Sequence, residues 1–261
     1  MPHPSQSFAA PLLQMKNSCS FIALAALALS LAGCSSYIPP GAKADLQSFA
    51  PPSIQDGFSA KPSNPFPASI AAVRIQDSGY SNYNLRRYGG DYGTGRYKVI
   101  MTREVEDQTQ FDRITTLPQV AGLVSLNRML LPEKLDDDRQ IREAASRLQA
   151  DLVFVYTFAT AFFDTDAAKP LTVISLGLSP TRKITAVTTV SALLMDTRTG
   201  YIYAAYETTE RAETISSSWS SGDSADEVRR KTEKKAFGKL IDDLVTSWPN
   251  LLHRANKKPI E

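Results

Sequence analysis

The chain has 261 residues, with 29 Lys+Arg against 27 Asp+Glu, a net charge of +2. That balance argues against a protein that coats nucleic acid, which needs a clear basic excess. Hydrophobic residues at 43% and charged residues at 21% exclude both a disordered chain and a polytopic membrane protein, and two Cys with two His exclude a disulfide scaffold and leave almost nothing for a Cys/His metal site.

Residues 21–32, Phe-Ile-Ala-Leu-Ala-Ala-Leu-Ala-Leu-Ser-Leu-Ala, form an apolar run shorter than the roughly 20 residues of a membrane-spanning helix. It reads as the apolar region of a secretory signal, with Lys16 as the positive charge before it and Met15 as an alternative start. The run ends Leu31-Ala32-Gly33-Cys34, which resembles the lipobox of bacterial lipoproteins. The resemblance implies a signal peptide over 1–33, cleavage before Cys34, a diacylglycerol thioether on its sulfur and an acylated, commonly palmitate-bearing, amine. Two or more acyl chains make a stable membrane anchor. Ser35 follows Cys34 where an Asp would hold a Gram-negative lipoprotein at the inner membrane, so the same resemblance implies the outer membrane, with the domain in the periplasm. Loss of 1–33 removes Lys16, Cys19 and His3, so the mature chain has 29 − 1 = 28 basic residues against 27 acidic, one Cys and one His, His253. No intramolecular disulfide can then form.

Residues 34–67 carry Pro39, Pro40, Pro51, Pro52, Pro62, Pro65 and Pro67. Proline lacks an amide donor and fixes φ, so the stretch reads either as an extended, disordered tether or as a segment laid on the domain surface and docked by Phe49, Phe58 and Phe66. The domain itself is expected over 68–253, with 254–261 as a basic tail. Ser69–Ile75 and Tyr97–Val105 read as strands, and Gln108–Thr116 as a short helix with Phe111 and Ile114 inward. Val120–Leu130 is apolar and best read as a strand. Asp136, Asp137 and Asp138 open a helix whose Ile141, Ala144, Ala145 and Leu148 form one stripe, and Leu152–Phe158 follows as a strand.

Ile184–Met195 alternates over its whole length, with Ile184, Ala186, Thr188, Val190, Ala192 and Leu194 on one face. Asp196-Thr197-Arg198-Thr199-Gly200 is a turn, because Asp can accept from the amides that follow and glycine tolerates positive φ; Tyr201–Thr209 then returns as a strand. Ser224 and Glu227 suggest a capping box for a last long helix with an inward stripe of Val228, Phe237, Leu240, Ile241, Leu244, Val245 and Trp248, ended by Pro249. The run Arg229-Arg230-Lys231 and Lys234-Lys235 reads as a solvated face of that helix, with Glu227 and Lys231 paired. The fold class is therefore α/β (α+β): a single compact domain with a mixed sheet, a long antiparallel hairpin and helices packed on it.

Ala150-Asp151-Leu152-Val153-Phe154-Val155 and the strand–turn–strand from Ala192 to Tyr203 are similar to segments of a group of bacterial envelope lipoproteins. The group includes the curli-secretion channel lipoprotein and the lipoprotein activators of penicillin-binding proteins. The resemblance covers about residues 68–250 in element order and implies a compact α/β domain related to the anticodon-binding fold. The paired membrane-inserting hairpins of the curli channel have no counterpart here; Leu171–Leu178 is the one apolar insertion.

The chain shows no catalytic motif, and the one chemistry its sequence leaves open is a carboxylate pair for glycan cleavage. A Ser-His-Asp triad needs an imidazole, and the mature chain keeps only His253, beyond the last helix. G-x-S-x-G, H-E-x-x-H, P-loop and C-x-x-C patterns are missing, Gly93-Thr94-Gly95 is half a dinucleotide fingerprint, and Asp164-x-Asp166 reads as a solvated turn. The expectation is a non-enzyme without cofactor or metal. The stretch that stands out is Asp77–Tyr97, with five of the ten Tyr, five of the thirteen Gly, and Arg86, Arg87 and Arg96. Tyr and Arg dominate interface hot spots, so Tyr80, Tyr83, Arg86, Arg87, Tyr88, Tyr92 and Arg96 are the candidate partner-binding residues on a loop between two strands; the alternative is a strand–strand connection whose tyrosines pack on their own sheet. The expected partners are the membrane, through lipidated Cys34, and an envelope protein. Nucleic acid is not expected. Three functions fit: an accessory interaction module, a subunit of an oligomeric secretion assembly, or a glycan-binding lipoprotein.

Overall fold

The computed structural model describes residues 43–50, 53–63, 66–166, 181–217 and 221–256. Cys34 and the apolar insertion Leu171–Leu178 lie outside the described residues. A seven-stranded mixed sheet runs in the order β2 (Asp91–Tyr92), β3 (Tyr97–Ile100), β1 (Ala68–Asp77), β5 (Leu152–Asp166), β6 (Thr181–Asp196), β7 (Ile202–Ser217). A further strand, β4 (Val120–Ser125), lies parallel to the first half of β1, while β3 pairs antiparallel with its end. The β1–β5 pair is also parallel, and β5–β6–β7 are antiparallel.

The described residues hold five α-helices: α1 (Ile54–Ser59), which is exposed throughout, and α2 (Tyr83–Tyr88), α3 (Gln108–Thr115), α4 (Asp138–Arg147) and α5 (Ser221–Asn256), which pack on the sheet. Alternation decides which face each residue serves. Even-numbered residues Phe154, Tyr156, Phe158, Val190, Ala192 and Leu194 meet Phe111 and Ile114 of α3 and Phe237, Leu240, Ile241, Leu244 and Trp248 of α5. Odd-numbered Val153, Val155, Leu193 and Met195 meet Ile141, Ala144 and Ala145 of α4, with Tyr97 and Phe49. The α/β domain expected from the alternation of patterns is the one observed, and no described helix is long and apolar enough to cross a membrane.

Several boundaries differ from expectation for identifiable reasons. Pro249 does not end α5, which runs to Asn256, because Leu251 and Ala255 continue the buried stripe one and two turns further. Its start is at Ser221, three residues before the expected cap at Ser224. β3 stops at Ile100 rather than Val105, and the chain after it turns inward to place Glu104 and Glu106 against buried arginines. The expected strand to Leu130 is strand only as far as Ser125 and ends in a 3-10 turn, Arg128–Leu130. β5 and β7 outrun their expected ends, at Phe158 and Thr209, by eight residues each, because the first half of α5 covers their even face through Ala225 and Val228.

The Pro-rich segment is also resolved in favour of docking, as far as it is described. Phe49 is buried beside Tyr97, the Ala44 amide donates to Thr157 Oγ1 (3.0 Å), and the Tyr97 hydroxyl donates to the Asp45 carbonyl (3.0 Å). Further on, the Ser63 amide donates to Asp196 Oδ2 (2.9 Å), and Phe66 sets its edge against Tyr203 and Trp248. Phe58 is exposed and contributes nothing to this docking. Residues 43–50, with Ser63 and Phe66, are thus a strap docked on the domain, while Ser53–Ser59 between them is exposed throughout.

The hairpin turn is held as its residues suggest. Asp196 Oδ1 accepts from the amides of Arg198 (2.9 Å) and Thr199 (3.1 Å), Gly200 sits at φ 73°, and Tyr203 Oη donates to Asp196 Oδ2 (3.2 Å). Burial would raise the Asp196 pKa, but the Ser63 hydroxyl and amide and the two turn amides outweigh it and hold the carboxyl below the usual range.

Candidate functional site

The Tyr/Arg-rich stretch is not a simple loop. Asn82 caps a helix over Tyr83–Tyr88, its Oδ1 accepting from the Leu85 amide (2.8 Å), and Gly89 ends it at φ 70°. Leu85 is the helix's buried contact, meeting Tyr80 and Ile100. With that side inward, Arg86, Arg87 and Tyr88 are exposed and Tyr83 is half-exposed. Arg87 Nη1 donates to Tyr83 Oη (3.0 Å), and its guanidinium lies 5.6 Å from the Tyr88 ring centroid. Arg86 Nε donates to Ser81 Oγ (3.1 Å).

Four of the seven expected partner-binding side chains therefore share one helix, and three do not. Tyr80 is a correction: it is 2% exposed, and its hydroxyl accepts from Arg74 Nη2 (3.2 Å) and Asn82 Nδ2 (3.1 Å), so no partner can reach it. Tyr92 is half-buried on β2 with its hydroxyl on the Leu131 carbonyl (3.3 Å). Arg96 is exposed but reaches Asp45 of the strap (3.5 Å).

Beneath α2 lies a buried ionic cluster that the local sequence pattern does not announce. Arg229, expected on a solvated face of α5, is 1% exposed. Its Nη1 donates to Glu233 Oε2 (2.7 Å), its Nη2 to Glu104 Oε2 (2.6 Å) and its Nε to Asp226 Oδ1 (2.9 Å). Arg74, in the middle of β1, pairs with Glu106 (3.5 Å) and Glu233 (3.6 Å), and its guanidinium carbon sits 4.4 Å from the Phe158 ring centroid. Tyr156 Oη and Thr160 Oγ1 donate to Glu106 and Glu233. Two guanidinium groups thus face four carboxylates, and Arg230 adds a third charge from the rim by pairing with Asp226 (3.1 Å).

The electrostatics follow from that crowding. Burial would raise the Glu104 carboxyl, but the charge and hydrogen bond of Arg229 outweigh it and hold the carboxyl below its ordinary value. Burial and Glu106 together push the Tyr156 phenol well up, and burial and Glu233 raise that of Tyr80, so both stay protonated as hydrogen-bonding groups. The cluster clamps α2: Arg74 reaches its cap through Tyr80 and Asn82.

The signal for Arg229 is present in the sequence. Counting back from Ala236 and Phe237 along the inward stripe in fours passes through Thr232 and Glu233, then Val228 and Arg229, all buried. A charged triplet Asp226, Arg229, Glu233 at i, i+3 and i+7 on a core stripe is a buried ion pair waiting for a partner.

Above the cluster, Tyr83, Asn84, Arg87 and Tyr88 of α2 and Asp226, Glu227 and Arg230 of α5 line an open cleft of ≈ 400 Å³. Charges of both signs, amides and phenols suit a polar polypeptide surface. Among the described residues no three His, Cys, Asp or Glu are grouped to hold a metal ion.

No family model matches the chain, and no curated protein matches it. Among solved structures it is similar to the crystal structure of a Xanthomonas campestris protein assigned to DUF330, with 11% identity and a TM-score of 0.32, over 82% of this chain and 98% of that one. A likeness that shallow carries no argument about fold or function.

Proposed function

We propose that this chain is a lipid-anchored accessory protein of the bacterial outer membrane, non-enzymatic, whose periplasmic domain docks an envelope protein through the exposed face of α2. The observation that carries this reading is the pairing of exposed Arg86, Arg87 and Tyr88 and half-exposed Tyr83 with a helix clamped onto a buried ionic cluster. Side chains held in place before contact lose less entropy on binding, and Tyr and Arg give the most contact energy per residue. The Cys34 lipobox and the resemblance of residues 68–250 to envelope lipoproteins support the compartment. A non-catalytic role is favoured because the crowded ionisable groups, Glu233, Glu106, Arg74 and Arg229, are all at most 5% exposed and out of a substrate's reach.

The test replaces Tyr83 and Tyr88 by Ala and Arg86 and Arg87 by Glu in the full-length protein. Crosslinked capture from the envelope should be lost while the thermal melt stays within a few degrees of the parent. Undiminished capture with all four replaced would remove α2 as the docking surface.

A further inference from the structure

The strap changes how far the domain can stand from its anchor. If 34–67 were all tether, 33 residues would separate the lipid from the fold. Residues 43–50 are docked, so nine peptide steps, Cys34 to Lys43, remain. At about 3.3–3.6 Å per residue that is a leash of roughly 30 Å at full stretch.

The leash starts on one particular face. Ala44 bonds Thr157, an odd-numbered residue of β5, and Lys43 to Gln47 border a groove of ≈ 590 Å³ with Ser191, Leu193, Ile202, Ala205 and Glu207. Farther along β5–β6–β7 the two faces differ sharply. The even face is covered: Phe162, Ile184 and Ala212 pack on Ala225 and Val228 of α5. On the odd face, Val187 and Thr189 are half-exposed and Ala161, Phe163, Thr209, Arg211 and Ile215 are exposed, with Thr185 buried among them at 5%. Phe163 at 55% and Ile215 at 72% are among the most exposed large apolar side chains described. The register puts Phe163 beside Thr185 and Ile215 beside Lys183, so the two flank the same stretch of β6.

Resting on the lipid-anchor reading above, we propose that this odd face of β5–β6–β7 lies against the bilayer that holds the Cys34 lipid, with Phe163 and Ile215 entering the interfacial layer. Phe163 is six residues beyond Thr157, about 20 Å along an extended strand, within the leash. A small folded domain is about 30 Å across, so one placed between this face and the bilayer would need the leash drawn straight. Turning α5 to the membrane would require the leash to round the sheet edge and a helix layer about 10 Å thick. Lys183 and Arg211 share one carboxylate, Glu213 (2.6 and 2.5 Å), so these three groups leave a single net positive charge, carried on long stems that can lie along an apolar surface with their heads in water. The contact is therefore mainly apolar and does not require anionic lipid.

Acylated Cys34 would be the one cysteine of the mature chain, so single-cysteine labelling is clean. Full-length lipidated protein carrying F163C, I215C or, as control, Y88C is labelled with an environment-sensitive fluorophore in phosphatidylcholine nanodiscs, with and without doxyl-labelled lipid. Labels at 163 and 215 should shift to the blue and lose roughly half or more of their emission to the doxyl lipid, as groups at the acyl boundary do, and 88 should do neither. Absence of quenching at 163 and 215 in protein whose Cys34 acylation is seen by mass spectrometry overturns the proposal and leaves the anchor standing. So does shielding from aqueous iodide without doxyl quenching, which would mean that a protein or second copy covers the face. An unmodified Cys34 in membrane-derived protein overturns the anchor reading and this inference together.

Discussion

Replacing Arg229 by Met tests whether the buried cluster holds the domain together. The side chain keeps a similar stem and loses five donors, so packing changes little while Asp226, Glu233 and Glu104 lose contacts of 2.6–2.9 Å. Arg74 alone then faces Glu106 and Glu233, at 3.5 and 3.6 Å. Removing one partner of a buried ion pair costs about 3–5 kcal/mol because the charges left behind are uncompensated. For a domain of this size that lowers Tm by roughly 6–20 °C. The pH dependence separates this cause from a packing defect. In the parent, Arg229 holds the Glu104 pKa below its unfolded value, a contribution fully present above about pH 4.5 and lost as pH falls through the folded pKa. In the variant, burial without Arg229 would raise the Glu104 carboxyl, so the penalty is greatest at neutral pH and shrinks as Glu104 protonates. Urea denaturation followed by circular dichroism between pH 5 and 8 should show a stability gap that narrows toward acid. A gap below about 1 kcal/mol, or one that is constant with pH, would refute the reasoning.

Asp196→Asn removes a buried carboxylate that accepts from Ser63, Arg198, Thr199 and Tyr203 and leaves one acceptor for these donors. It should cost about 1.5–3 kcal/mol at pH 7, and since the native pKa is depressed, the parent should lose this advantage as pH falls below about 4; matched melts at pH 7 and 3.5 check both. Leu244→Ala empties a fully buried site on α5 and should cost about 2–5 kcal/mol by chemical denaturation; an unchanged midpoint would mean the helix is not packed on the sheet as described.

Periodicity carried most of the fold. The even face of β6, the stripe of α4 and the stripe of α5 from Phe237 to Trp248 are each a repeat of burial that residue type alone reports. The failures share a cause: a tertiary contact extended or cut an element against its local signal. Pro249 and the ends of β5 and β7 were read from local signals, and each was overridden by apolar residues beyond it that found a neighbour, Leu251 and Ala255 in one case and Ala225 and Val228 in the other. The Pro-rich strap shows the reverse, since composition that permits a tether also permits a docked segment, and only the pocket that takes Phe49 distinguishes them.

The candidate site was half legible for the same reason. Composition found Tyr83, Arg86, Arg87 and Tyr88, because an excess of Tyr and Arg in one stretch needs no neighbour to be seen. It also swept in Tyr80, whose burial depends on Arg74 and Asn82 meeting its hydroxyl. Arg229 was misread because a run of basic residues looks solvated when counted along the chain. Wound into a helix, Arg230 and Lys231 stay outside while Arg229 turns inward to three carboxylates, one of them, Glu104, 125 residues away in sequence. A buried arginine in β1 and another in α5, joined through Glu233 and reaching the α2 cap by way of Tyr80, make the exposed helix depend on the core beneath it. Loss of Arg229 should therefore weaken partner capture as well as stability, whereas loss of Tyr88 or Arg86 should weaken capture alone.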